Sequence, residues 1–207
     1  HAHATIAGID ASAALAQDGV WAVITGEAVK KLSDPFLLAL KAPINQWSLA
    51  VERVRYVGEP VALVVADTRY LAEDVADLVR VDYEPLEAVI DPQAARKPSA
   101  LLLHPQAKTN EISVRKFSYG DTKAAFEQAD ARVALTCEYP RNSFTPMECY
   151  VVVAEYRPPD QSYDVLANFQ GPFSTHPVMA RALRVPGPKL RLRIPRDSGG
   201  SFGIQLS

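Results

Sequence analysis

Cysteine is scarce in this chain: Cys137 and Cys149 are the only two among 207 residues. Neither has a Cys or His neighbour at ligand spacing, which argues against a zinc site, and two thiolates cannot hold an iron–sulfur cluster, which needs about four. Both are expected to be buried thiols of a protein from a reducing compartment. Long apolar runs are lacking too, and none approaches the ~20 residues of a membrane span. Charge of one sign is missing, since a net charge of −2 with 22% charged residues leaves no basic surface for nucleic acid or a membrane. Residues 1–90 contain no phosphate loop and no G-x-G-x-x-G turn, so no nucleotide is assigned there. The opening His1-Ala2-His3-Ala4-Thr5-Ile6 shows no charged leader or apolar signal core, and the chain stops at Ser207, just beyond a glycine-rich loop. Both ends read as cuts through structure, and a segment of a longer polypeptide is expected.

What is present is the composition of a globular protein, 48% hydrophobic, long enough for one large or two small domains. Ala4–Ile9 reads as a strand, with Asp10 capping a short helix over 11–16. The apolar run 20–25 reads as a buried strand, and an irregular excursion containing Pro35 and Pro43 begins at Thr25-Gly26-Glu27. Val61-Ala62-Leu63-Val64-Val65-Ala66 has the uninterrupted apolar character of a strand covered on both faces. Asp67 is the expected N-cap of an amphipathic helix over 68–80, with Leu71, Val75 and Leu78 on its inner face. Glu59 and Glu73 read as solvated or structural charges. A further strand, Val81-Asp82-Tyr83-Glu84, completes a first domain, 1–89.

Residues 90–117, with Pro92, Pro98 and Pro105, have a linker's composition. His104 lies within them and reads as a surface histidine, because metal ligands must cluster. In a second region, 118–207, Asp121 should cap a helix reaching Ala129. Strands are expected over 132–139, 150–156 and 163–169, with a turn at Pro158-Pro159-Asp160. Glu148, at the entry to the second of these, is either a water-facing strand start or a carboxylate held by internal hydrogen bonds. A helix over 174–183 and the alternating strand Leu190-Arg191-Leu192-Arg193-Ile194 follow.

That last strand delivers the chain into Ser198-Gly199-Gly200-Ser201-Phe202-Gly203, where missing Cβ atoms let a polar ligand approach the backbone. The five residues Gly199–Gly203 also fit G-x-S-x-G, the nucleophile elbow of serine hydrolases, with Ser201 as nucleophile. In that fold the acid and histidine follow the serine, whereas His1, His3, His104 and His176 all precede it. A serine hydrolase fragment and a non-catalytic interaction module therefore stand as alternatives.

Several blocks, taken in order, resemble the molybdenum hydroxylases: xanthine dehydrogenase, aldehyde oxidase and aerobic carbon monoxide dehydrogenase. His1–Gly26, Val57–Ala66, the following helix and Val81-Asp82-Tyr83-Glu84-Pro85-Leu86 resemble their hammerhead domain. Gly120-Asp121 with Ala125-Phe126, and Pro146-Met147-Glu148 with Ala154-Glu155-Tyr156, resemble the start of the molybdenum-binding region. Gln170 matches the glutamine of the first cofactor motif, and Gly199-Gly200-Ser201-Phe202-Gly203 its Gly-Gly-Gly-Phe-Gly loop, with Ser201 departing from the middle glycine.

The resemblance implies an α+β chain: an α/β hammerhead domain, then an incomplete molybdenum-cofactor-binding domain. It implies a molybdopterin-held molybdenum with no protein side chain on the metal, the cytosine dinucleotide form being one option. Gln170 would approach the metal's apical ligand, and Gly199, Gly200, Ser201, Phe202 and Gly203 would line cofactor and substrate, making Gln170 and Phe202 the residues nearest the chemistry. The turn at Gln170 and the loop at Phe202 must then be neighbours. The resemblance further implies a cytoplasmic oligomer with iron–sulfur and FAD subunits or domains as partners and a small-molecule substrate. The catalytic glutamate of such enzymes would lie beyond Ser207, so this segment alone should be inactive. Residues 118–207 should present apolar surface that drives self-association.

Overall fold

The computed structural model describes residues 1–36, 38, 40, 42–140 and 145–200. Strand β1 (Ala4–Asp10) forms the centre of an antiparallel sheet, between β3 (Arg53–Val54) and β5 (Arg80–Pro85). Its pairing with β5 shifts register between Ile6 and Gly8. The buried Ala4, Ala50 and Val54 form a small core with Ile6, Val61 and Tyr83 packed on it. Asp10 does not cap α1 (Ser12–Leu15) from the N-cap position, which Ala11 occupies. Its carboxylate accepts the Ser12 N–H at 2.9 Å from one residue earlier, and the helix is shorter than expected.

A second, two-stranded sheet pairs β2 (Val20–Thr25) antiparallel with β4 (Ala62–Ala66). Sequence reading gave β4 cover on both faces, yet Leu63 and Val65 are 53% and 38% exposed. The reason is local: helix α3 (Arg69–Ala76) packs on β4, burying Val75, but leaves an open groove beside the strand that Leu63 lines. The cap of α3 is Thr68, whose Oγ1 accepts the Leu71 N–H, rather than Asp67. The Asp67 carboxylate is instead engaged by the indole N–H of Trp21 at 2.6 Å. Glu73 pairs with Arg69 and Glu59 accepts the Arg55 N–H, so both are structural charges.

The expected irregular excursion begins instead with a helix, α2 (Gly26–Leu32), that buries Gly26 and Val29. Glu27 lies in its first turn and Lys30 and Lys31 in its last, each on the side that complements the helix dipole.

The segment after β5 is packed onto the first domain. It contains α4 (Pro92–Ala95), capped by Asp91, and a short 3-10 turn at Pro105–Ala107. Asn110 accepts the Leu103 N–H and donates to the Ala95 and Leu101 carbonyls, and Arg55 Nε reaches the Leu103 carbonyl at 2.9 Å. His104 is accordingly half-buried rather than a surface residue, with its Nδ1 lacking a hydrogen-bond partner among the described residues. Burial, with Arg55 and then Arg53 adding like charge, lowers its pKa from the usual 6.5. The folded chain therefore resists taking up a proton that the unfolded chain accepts near that pH. Stability is at its full value above about pH 6.5 and falls as pH drops through it towards the lowered folded pKa. On acidification from about pH 7.5 to about pH 5.5 the urea midpoint of the wild type should fall further than that of His104→Gln. Parallel shifts of the two proteins would show that His104 titrates normally.

Helix α5 (Thr122–Glu127) is capped as expected, the Asp121 carboxylate accepting the Ala124 N–H at 2.9 Å. The expected strand over 132–139 is not formed. Val133 and Leu135 are 90% and 83% exposed, and no strand edge among the described residues pairs with this stretch. Alternation makes a strand only where a partner supplies the ladder. Cys137 and Cys149 are likewise exposed, against the expectation of buried thiols.

A three-stranded sheet follows. Strands β6 (Val152–Arg157) and β7 (Ser162–Ala167) form an antiparallel hairpin, and the chain crosses through α6 (Pro172–Ala182) into β8 (Leu190–Arg193), which runs parallel to β7. Every residue of β6 is exposed, Val152 and Val153 by 52% and 61%, so residues 118–207 do present apolar surface.

Arg184 joins this sheet's crossover to the first domain. Its guanidinium donates to the Lys31 and Ser33 carbonyls at the end of α2 at 2.9 and 2.7 Å and pairs with Asp34. Beside it the Asp34 N–H reaches the Ala182 carbonyl at 2.8 Å.

Candidate functional site

The parallel pair β7 and β8 defines the site, because parallel strands release both of their carboxyl ends at one sheet edge. The register sets Tyr163 opposite Leu190 and Leu166 opposite Arg193, so the turn after β7 and the loop after β8 leave the same edge. Ligands of parallel α/β sheets gather at such edges. Three contacts hold the pair rigid. Asp164, 6% exposed in the middle of β7, accepts Arg193 Nε at 2.6 Å and lies 3.6 Å from Arg191, so its buried charge is compensated. His176 on α6 sits 2.8 Å from the Leu190 carbonyl. A carbonyl only accepts, so Nε2 carries the proton and pins the crossover helix to the start of β8.

At the end of β7, Phe169 is buried and Gln170 is exposed at the edge. Gly171 then takes a left-handed conformation, φ 64°, which turns the chain into α6 with Pro172 in its first turn. After β8 the chain reaches Gly199 and Gly200. Among the described residues a Cβ on Gly199 would meet nothing within 4 Å, and Gly200 has φ 66°, so this backbone is open towards them on one side. Ser201, Phe202 and Gly203 lie outside the described residues, as does the expected proximity of Gln170 and Phe202.

What ties the two exits together is Glu148. Its carboxylate accepts the Gly199 N–H at 2.8 Å through one oxygen and the Asn168 side-chain amide at 3.1 Å through the other. These two donors, the Gly199 amide foremost, hold its pKa below the usual carboxylate value, with Ser198 adding to the effect against a small desolvation cost. Of the two readings open in the sequence, the hydrogen-bonded carboxylate is the one found. Asn168 is 6% exposed and fully used: its oxygen accepts the Val151 N–H at 2.9 Å, and its amide also donates to the Cys149 carbonyl at 2.7 Å. Gly199 thus commits its own N–H to Glu148, and what it offers a ligand is bare backbone rather than a donor.

Sequence reasoning missed Asn168 and Asp164. A signal existed for the second: a lone acid in the apolar run Tyr163-Asp164-Val165-Leu166 facing a strand that alternates Arg191 and Arg193. None existed for Asn168, whose partners are 17 to 20 residues away. An open apolar groove of about 390 Å³ lies elsewhere, between β4 and α3, lined by Val61, Leu63, Ala72, Ala76 and Val81. It gathers no set of converging polar groups. Among the described residues no three His, Cys, Asp or Glu side chains cluster as metal ligands.

The chain thus joins a domain of two small antiparallel sheets to a three-stranded sheet whose parallel pair sets an amide side chain and a glycine turn at one edge. Residues 1–87 match the family described as "Aldehyde oxidase and xanthine dehydrogenase, a/b hammerhead domain", and residues 103–207 match "Molybdopterin cofactor-binding domain". The chain belongs to the molybdenum hydroxylase family. It is 36% identical over 99% of its length to the 6-hydroxypseudooxynicotine dehydrogenase complex subunit gamma of Paenarthrobacter nicotinovorans, and 35% identical over 100% to the carbon monoxide dehydrogenase large chain of Afipia carboxidovorans. It covers 26% and 27% of those proteins, about a quarter of their length. The quinoline 2-oxidoreductase of Pseudomonas putida 86 superposes with a TM-score of 0.85 at 30% identity, over 96% of this chain and 26% of that one. The serine hydrolase alternative loses its support: His176 is committed to the Leu190 carbonyl and His3 is buried on the Glu87 carbonyl at 2.9 Å.

Proposed function

We propose that this chain supplies one wall of a molybdenum–molybdopterin site in the large subunit of a hydroxylase-type oxidoreductase, with Gln170 and the loop Gly199–Gly203 facing the cofactor. The observation that carries the reading is the shared edge at which the turn after β7 and the loop after β8 emerge, tied by Glu148. The residues present suit such a group. Gln170 offers a neutral amide that can donate or accept without adding charge, and a Cβ on Gly199 meets nothing within 4 Å among the described residues. When bound, the cofactor would supply two-electron redox chemistry at a small substrate, either an electron-poor carbon or carbon monoxide. Gln170 would hold and orient the cofactor through its side-chain amide, and Gly200, Ser201, Phe202 and Gly203 would shape the cofactor and substrate face.

In this reading residues 1–89 are the hammerhead domain, 90–117 the connection and 118–207 the first part of the cofactor domain. The full-length protein works in the cytoplasm, within an oligomer that passes electrons to iron–sulfur and FAD carriers, and its cofactor is molybdopterin in the plain or the cytosine dinucleotide form. No helix among the described residues is long and apolar enough to cross a membrane. The full-length subunit, purified from a host able to make molybdopterin, should carry stoichiometric molybdenum and release a fluorescent pterin on oxidation. A well-folded subunit with neither would overturn the proposal.

A further inference from the structure

Glu148 is out of place in its setting. It precedes β6 among exposed apolar residues, Met147 at 100% and Tyr150 at 54% exposure, yet its carboxylate is engaged by two donors that belong to different strand exits. One is the backbone of Gly199, 51 residues along the chain, and the other is the side chain of Asn168, 20 residues along. Asn168 cannot move freely to follow, since its other contacts hold Val151 and Cys149. The carboxylate is thus a two-oxygen brace, one oxygen for each exit. Charge-assisted bonds of this kind are shorter and stronger than neutral ones, so a carboxylate sets the spacing more firmly than an amide would.

We propose that Glu148 is a positioning residue: its carboxylate fixes the glycine loop at Gly199 relative to the turn that carries Gln170. This rests on the reading of that edge as cofactor-facing. Glu148 need not touch the cofactor; it sets the separation of the two elements that would. An isosteric amide cannot replace it, because Glu148→Gln keeps one acceptor oxygen and turns an NH2 group towards either Gly199 N–H or Asn168, donor against donor.

The test compares wild type and Glu148→Gln in the full-length protein, made both with cofactor and in a host unable to synthesise molybdopterin. In the cofactor-free form, amide hydrogen exchange at Gly199 should accelerate roughly ten- to a hundredfold, the weight of one charge-assisted bond. The amides of β7 should keep their protection. In the loaded form, molybdenum and pterin content should fall in step. Unchanged exchange at Gly199 overturns the brace. Faster exchange with full cofactor content upholds the brace and counts against the cofactor reading of the loop, so the two failures are distinct. Glu148→Asp, of equal charge but one methylene shorter, cannot span both donors and should loosen Gly199 in the same way. Should neither variant fold, the wild type decides: its cofactor-free Gly199 amide must exchange at least about tenfold more slowly than in an unstructured chain, and an unprotected Gly199 overturns the proposal.

Discussion

Gln170→Ala in the full-length enzyme should lower turnover by roughly ten- to a hundredfold, the usual effect of removing a partner just outside a metal's ligands. Folding and molybdenum content should stay at wild-type levels. The turn on which Gln170 sits is held by its neighbours: Asn168 with its three contacts, the buried Phe169, and Gly171 in the left-handed conformation. The measurement is steady-state kcat beside metal analysis and thermal melting of the same preparation. Wild-type kcat with full molybdenum would remove Gln170 from the site, whereas a lowered melting temperature would make it a structural residue.

The second large effect concerns stability and lies far from that edge. Gly26→Ala should destabilise the first domain by about 3 kcal/mol, the upper end for overpacking a tight contact. A Cβ at Gly26 would fall on the Ala50 carbonyl oxygen and within 2.8 Å of the Ala50 carbonyl carbon and the Val51 Cα. All three are backbone atoms, so no side chain can swing aside. The Ala50 peptide is itself anchored, its N–H donating to the Pro60 carbonyl at 2.7 Å and its side chain buried in the core. Gly199→Ala is the matched control, since the added methyl meets nothing within 4 Å among the described residues, and its urea midpoint should equal that of the wild type. Equal midpoints for Gly26→Ala and wild type would mean that the start of α2 and the Ala50 segment can separate without cost.

How far such features could be read from sequence follows the range of the interactions. Strands β4, β7 and β8 and helices α3 and α6 were legible because hydrophobic periodicity is local. Helix α2 escaped because its seven residues bury only one apolar side chain, Val29, and its Gly26 reads as a turn until the Ala50 backbone is seen against it. The stretch at 132–139 shows the opposite failure, a sound alternating pattern with no partner edge among the described residues. In the site, Gln170 and the glycine loop were legible only as a likeness to family motifs, since one glutamine and a glycine run say little alone. The brace through Glu148 and Asn168 lies outside any sequence window, because its two donors come from separate strand exits, 20 and 51 residues from Glu148.

Arg184 follows helix α6 in the left-handed conformation, φ 57°, at the position where a glycine is commonest. Its own N–H reaches the Arg181 carbonyl and that of Val185 reaches Ala180, at 3.0 and 2.9 Å, which completes the end of α6. The same residue's side chain completes the end of α2. Glycine would relieve the backbone and leave α2 open; arginine accepts the strain and closes both. One residue therefore terminates a helix in each domain, and fraying at either end withdraws the support of the other. The two domains, though their sheets are separate, are thus joined where the end of α2 meets the end of α6, the helix that leads away from Gln170.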